Sequence, residues 1–361
     1  MPLVCRSLNT FRNAVPKEIL RKLDRDFSAH ARRNLFFTGE LLKLLALMQE
    51  NGIRAVAYKG PVLSASAYGN VVLRSFIDLD ILVHDRDIPR AKELLLSKGF
   101  ETRTQLTKTQ EEAHLRSRDE KDIVFVRPDL PISVELHWAI ASLSLFPLDS
   151  GLLWERLETI TFGGATVSNL RAEDMLLILC VHGAKHSFTR LEWICDIAEL
   201  IRANPDMDWN EVTERAASLG TTRMLSLGLF LATNLLAADV PRTVARNIDA
   251  DPKVKSLASR VMASLFSDTT NLSHGFVDVT FIGNLREKRS DRIGLRLQSY
   301  IHNFWKAVSP NVEDKEFLRL PAFLAFLYYV VRPVRLAYVY GPVLWIQIIR
   351  ERKRRWLRRV S

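Results

Sequence analysis

Asp78-Leu79-Asp80 lies inside Ser75-Phe76-Ile77-Asp78-Leu79-Asp80-Ile81-Leu82-Val83, two carboxylates one residue apart in an otherwise apolar, strand-like run. Side chains on a strand alternate faces, so both acids project from one side with Cα atoms roughly 6 to 7 Å apart. That spacing suits divalent metal: the two ions of a phosphoryl-transfer site lie about 3.5 to 4 Å apart, and a carboxylate between them can bridge both. Clustered acids also repel one another. Replacing either by Asn is therefore expected to leave the metal-free protein as stable as before, or more so.

Upstream, residues 55–58 read as a short strand that ends at Lys59-Gly60-Pro61, and residues 62–68 read as a helix. Gly60 permits the tight turn, and Pro61 suits the first helical position, where its missing N–H costs nothing. A lysine beside the exposed amides of a helix N-terminus is a ready phosphate site, so Lys59 and Gly60 are candidates for it, with Arg74 and Ser75 as further candidates before the aspartates. For Arg74 an ion pair with Asp78 or a neighbour competes with that role. Downstream, Val134-Glu135-Leu136-His137-Trp138 sits in a strand-like run at 132–139, and Glu135 and His137 share a face by the same period of two. His137 reads as orienting Glu135 or a phosphate rather than ligating metal, and Trp138 reads as core. His182 and His186 stand at i and i+4, a spacing that can grip zinc, yet no HExxH glutamate accompanies them, and Cys180 and Cys195 complete no ligand set. They read instead as a packed or substrate-facing pair, with His182 and Lys185 on the substrate side.

The order KGPVLSASAYG, RSFIDLDILV, AKELLLSKGF, then VELHW, resembles the nucleotidyltransferase superfamily of the DNA polymerase β type. It is most similar to an uncharacterised branch in which a Lys-Gly motif stands where other members carry Gly-Ser. The resemblance covers about residues 35 to 200. It implies that Asp78, Asp80 and Glu135 are the catalytic, metal-holding acids, with Glu135 supplied by a neighbouring strand. It implies Mg²⁺ or Mn²⁺ as cofactor and an NTP, ATP first among them, as donor of a nucleoside monophosphate. The acceptor stays open: a small molecule, peptide or glycan precursor. Two departures from the wider superfamily stand out, the missing Gly-Ser pair and a Glu as third acid. A non-catalytic nucleotide-binding or regulatory protein of the same fold is one alternative, and the complete carboxylate set argues against it. A toxin-like enzyme acting on tRNA is another.

The net charge of +10 on 361 residues invites a nucleic-acid reading until it is localised. Arg350, Arg352, Lys353, Arg354, Arg355, Arg358 and Arg359, against Glu351, place six of those ten charges in the last twelve residues. The rest is only mildly basic, whereas phosphate-backbone binding calls for a broad basic face. The tail, flanked by Trp345 and Trp356, suits an anionic membrane surface or partner, or is simply a solvated helix end. The apolar stretches before it, 320–331 and 336–349, fall short of the roughly 20 residues that span a bilayer. The cysteines, Cys5, Cys180 and Cys195, are too scattered for a disulfide framework, and residues 1–15 show no sustained apolar core, so a cytoplasmic setting is expected, with peripheral membrane contact open.

The elements that must position these residues follow from periodicity. Residues 17–50 read as helical and stop at Asn51-Gly52; strands are expected near 54–58, 78–83, 121–127 and 132–138, helices near 61–68 and 87–98, and a hairpin around Gly163-Gly164. That alternation predicts an α+β unit with a small mixed sheet. After Asn169 helical patterns dominate, so a catalytic domain is placed at 1–168 and a mainly helical substrate or accessory domain at 169–361.

Overall fold

Apolar residues at helical spacing carry α2 (Lys17–Glu50) through nine turns after a short α1 (Pro2–Asn9), and Phe37, Leu41, Leu44 and Met48 form its buried stripe. The computed structural model describes residues 2–9, 11–104, 106, 108–116, 120–141, 150–266 and 279–286, with 318, 324, 327–335 and 338 beyond. The basic tail at 350–361, with its membrane and partner readings, lies outside them. Of the two apolar stretches before it, only 324, 327–331 and 338 fall within them. No helix among the described residues is long and apolar enough to cross a membrane. The chain divides into two compact units, residues 1–289 and 290–361; the elements named here belong to the first.

A mixed five-stranded sheet forms the centre: β1 (Ala55–Ala57), β2 (Leu79–Val83), β3 (Glu101–Thr102), β4 (Asp122–Arg127) and β5 (Ile132–His137), in the order β1-β2-β5-β4-β3. Only β2 and β5 run parallel, in a register that sets Asp80 beside Glu135 and Leu82 beside His137. β4 is antiparallel to β5 and sets Asp122 opposite His137. The α+β architecture expected from the sequence is therefore present, as are the helices α3 (Gly60–Tyr68) and α4 (Ile88–Ser97) and the hairpin β6 (Glu158–Phe162) with β7 (Ala165–Asn169). The short β3 and α5 (Lys108–Arg116) carry too little apolar period to be read in advance.

The period of two divides the sheet chemically. Leu79, Ile81, Val83, Phe125, Val134 and Leu136 point to one side and pack with the α2 stripe and with Ile88, Ala91 and Leu95 of α4. Val56, Tyr58 and Leu82 belong to a second core on the other side. Asp80, Glu135, His137 and Asp122 share the parity of that second face. After α6 (Ser150–Glu155) and the hairpin, the described residues are helical: α7 (Ala172–Lys185), α8 (Leu191–Ala203), α9 (Trp209–Ser218), α10 (Thr222–Leu236), α11 (Arg242–Ala250), α12 (Pro252–Leu265) and α13 (Val279–Leu285). Their apolar residues continue the core of Val56 and Leu82, which thus spans both sides of residue 168. α7 is buried along almost all its length and packs against α8, α9, α10 and α13.

Gly183 shows why α7 ends where it does: a Cβ there would meet the Phe188 ring at 2.2 Å. Phe188 tucks beneath the helix with its amide donating to the Gly183 carbonyl at 2.7 Å, and Ser187 and Phe188 both take positive φ. This tight reversal aims the last turn of α7 at the sheet.

The loop between α3 and β2 has no regular structure of its own; α2 holds it instead. Asn34, fully buried, donates its amide to the carbonyls of Val71 at 2.7 Å and Arg74 at 2.8 Å, and Arg33 donates to Phe76 O at 2.6 Å. Because Asn34→Ala takes the side-chain amide from Val71 O and leaves Arg74 O with His30 Nε2 at 3.2 Å as its remaining side-chain partner, it is expected to cost about 1–3 kcal/mol in urea denaturation. Unchanged stability would mean that the loop is held by something else.

Candidate functional site

Lys59 caps α3 in an extended conformation, and Gly60 follows at φ +53°, a value L side chains rarely adopt. A Cβ there would also press on the Asp78 carbonyl at 3.4 Å, so glycine at this turn keeps α3 and the aspartate loop close together. The turn delivers Lys59 Nζ to within 3.4 Å of Asp80 Oδ1. From the other side, His137 Nε2 lies 3.1 Å from the same oxygen and 3.4 Å from Glu135 Oε2. Behind the ring, Nδ1 is 3.4 Å from Lys121 Nζ and 3.6 Å from Asp122 Oδ2, and Lys121 and Asp122 are themselves in contact. Tyr58, fully buried, packs edge-on against the imidazole at 5.4 Å.

Asp80, Glu135 and His137 each offer one ligand atom, all within 4.8 Å of one another. Two carboxylate oxygens and a ring nitrogen at that separation fit a divalent cation. Asp78, expected as an equal partner, stands one residue before β2, half-buried, and is not in that group.

The two aspartates differ electrostatically. Burial, then the charges of Asp80 and Glu135, push the Asp78 carboxyl up to about 6. Burial alone would raise Asp80 too. Lys59 and the hydrogen bond and charge of His137 outweigh it and hold that carboxyl well below the usual carboxylate range. On these electrostatics, Asn is expected to relieve strain at Asp78 and not at Asp80, whose carboxylate is held by Lys59 and His137.

Opposite the sheet, the last turn of α7 brings His182, Lys185 and His186 over the acids, with Trp193 of α8 against both rings at 5.5 and 5.2 Å. Burial, with nearby Lys59 and the partner histidine, lowers His182 well below its ordinary value. Burial beside Lys185 brings His186 down to about 4, so both rings are neutral at pH 7. Burial also lowers Lys185, followed by the charges of Lys121 and Lys59. Between sheet and helices lies a cleft of about 740 Å³ that Lys59, Arg74, Ser75, Asp78, Asp80, Lys121, Glu135, His182 and Lys185 all line.

Arg74 reaches the cleft wall but spends its fork elsewhere. Its Nε and Nη2 donate to the two oxygens of buried Asp196 at 2.8 and 2.9 Å, and Tyr68 donates its hydroxyl to Asp196 Oδ1 at 2.6 Å. The ion pair with Asp78 considered from the sequence is replaced by this bidentate pair, which ties the loop to α8. Ser75 is half-buried beside it. Lys121 and Asp122 went unnoticed in the sequence because an alternating charge at a strand start is common; only the pairing Asp122↔His137 gives them a place in the site.

Residues 1–237 match the profile of a family described as an uncharacterised nucleotidyltransferase. A search of curated proteins gives no match. Among solved structures, the chain is similar to two of ANT(2'')-Ia, each at 12% identity and a TM-score of 0.36. One is the solution structure of that antibiotic-resistance factor, and the other its crystal structure in complex with adenylyl-2''-tobramycin. Each match covers 51% of this chain, and 91% and 97% of the respective neighbour.

Metal-free protein should separate the two acids by pH. A carboxyl raised from 3.8 to about 6 in the folded state destabilises increasingly as pH climbs through that window. Asp78→Asn is therefore expected to melt above wild type at pH 7 and equal to it near pH 3. Asp80→Asn removes a favourable charge and should melt below wild type at pH 7, the gap closing only in strong acid. Calorimetric scans in EDTA check this, and equal shifts for both variants would contradict it.

Proposed function

The chain belongs to the uncharacterised nucleotidyltransferase family, and from that membership we propose that it transfers a nucleoside monophosphate, AMP from ATP, to an acceptor and releases pyrophosphate. The observation that carries this reading is the register of β2 and β5, which sets Asp80 beside Glu135 on the cleft face with Lys59 against them. Asp78, Asp80 and Glu135 would hold Mg²⁺ or Mn²⁺, and a bound ion would neutralise phosphate charge as the transition state spreads it. Lys59 and the amides at the start of α3 receive the triphosphate, with Ser75 alongside. Arg74 contributes by holding the loop rather than by gripping phosphate.

Catalysis in this scheme is mostly positioning and charge neutralisation. The acceptor oxygen bonds to the α-phosphorus as the bond to the bridging oxygen breaks, and pyrophosphate leaves. Glu135, more open to the cleft than Asp80, takes the acceptor's proton through the carboxylate oxygen that does not face His137. The helical part from residue 169 supplies the acceptor side through His182 and Lys185. Two neutral rings and a tryptophan there favour a small-molecule, peptide or glycan acceptor over a polyanion, so nucleic acid is the less suited partner. The reading places the protein in the cytoplasm.

Asp80→Asn is expected to lower metal-dependent pyrophosphate release by about 10²-fold or more. Lys59→Ala should weaken ATP about tenfold or more, the size of a charge-assisted contact, and leave adenosine nearly unchanged. Calorimetry with both ligands reads the difference. Equal weakening would place Lys59 away from the phosphates, and near-normal turnover in Asp80→Asn would remove the acids from catalysis.

A further inference from the structure

His137 is wholly buried, yet both of its ring nitrogens face charged groups. Adjacent ligands of an octahedral ion held at about 2.1 Å sit about 3 Å apart. The separations of His137 Nε2 from Asp80 Oδ1, 3.1 Å, and from Glu135 Oε2, 3.4 Å, are already of that size. A hydrogen bond to the carboxylates would give similar distances, so the nitrogen that carries the ring proton decides. Behind the ring, Lys121 Nζ lies 3.4 Å and Asp122 Oδ2 3.6 Å from Nδ1, the carboxylate placed there by the β4–β5 register, and the Tyr58 edge fixes the ring plane. Lys121 donating to Nδ1 would leave the proton on Nε2, facing the acids; Asp122 accepting from Nδ1 would leave Nε2 bare. A carboxylate behind a histidine whose far nitrogen points at acids is the arrangement that orients a metal-ligating imidazole, and Lys121 has Asp122 itself as an alternative partner.

We propose that His137 is a nitrogen ligand of the divalent ion, with Asp122 as the positioning residue that fixes its tautomer, and that the site consequently takes Mn²⁺ in preference to Mg²⁺. The inference rests on the metal-dependent reading above and adds a ligand to it. Mg²⁺ strongly favours oxygen, whereas one imidazole nitrogen shifts preference toward first-row transition ions. In the metal-bound arrangement the ring would carry its proton at Nδ1, directed at Asp122, leaving Nε2 to the ion, and Lys121 would keep its contact with Asp122 alone.

The test is electron spin-echo spectroscopy of the full chain loaded with Mn²⁺, prepared with ordinary and with ¹⁵N-labelled histidine. The expected spectrum shows a directly bound histidine nitrogen that responds to the label. It should disappear in His137→Gln and persist in His182→Gln, whose ring lines the same cleft. Asp122→Asn, which keeps the imidazole, should raise the Mn²⁺ Kd about 10- to 100-fold. Calorimetry on the wild type should give a lower Kd for Mn²⁺ than for Mg²⁺. Mn²⁺ bound without a histidine nitrogen would overturn the proposal and leave the metal-dependent reading standing, and so would loss of the signal in His182→Gln. Failure to bind Mn²⁺ at all, with or without a non-hydrolysable ATP analogue, would overturn both.

Discussion

Two strands run parallel with Asp80 directly beside Glu135, and everything near the cleft is arranged around that pairing. Like charges side by side on a half-buried face repel, and the low dielectric between sheet and helices strengthens the repulsion. The chain answers with partners rather than distance. Lys59 comes in from the β1–α3 turn and His137 from the same strand as Glu135, with Lys121 beside the far side of the ring. The alternate side of the same strands is uniformly apolar and packs on α2 and α4, so one face stabilises the sheet while the other carries the chemistry.

The loop that brings Asp78 into place is held from two directions. Asn34 and Arg33 of α2 take its carbonyls, and the Arg74 fork takes Asp196 of α8. A buried bidentate pair of this kind is costly to break from one side, because the remaining charge stays buried. The loop is thereby joined to α2 and α8 at once, and α8 packs on α7, whose last turn carries His182 and Lys185. The acids and the residues facing them are in this way referred to one frame.

Much of this was legible in the residues themselves. The apolar period of α2, the Lys-Gly-Pro turn into α3, and the alternation through β2 and β5 each follow from local rules that tertiary contacts did not override. The match over residues 1–237 agrees with the resemblance those motifs carry. Pairing across the chain was beyond reach. Nothing near Arg74 names Asp196, which lies 122 positions away, and nothing near His137 names Asp122. The unequal standing of Asp78 and Asp80 was hidden for the same reason. A period of two puts both on one face, but only the register with β5 and the reach of Lys59 set one in a buried cluster and the other at its edge.

In the proposed reaction the acid face of the sheet serves attack at the α-phosphorus of a nucleotide. Following ATP labelled separately at the α- and γ-phosphorus, by mass spectrometry of all products with divalent metal present, tests this most directly. The α-label is expected to pass to a new adduct, or to AMP when water is the acceptor, while the γ-label leaves in pyrophosphate. Transfer of the γ-label to an acceptor with ADP left behind would contradict it.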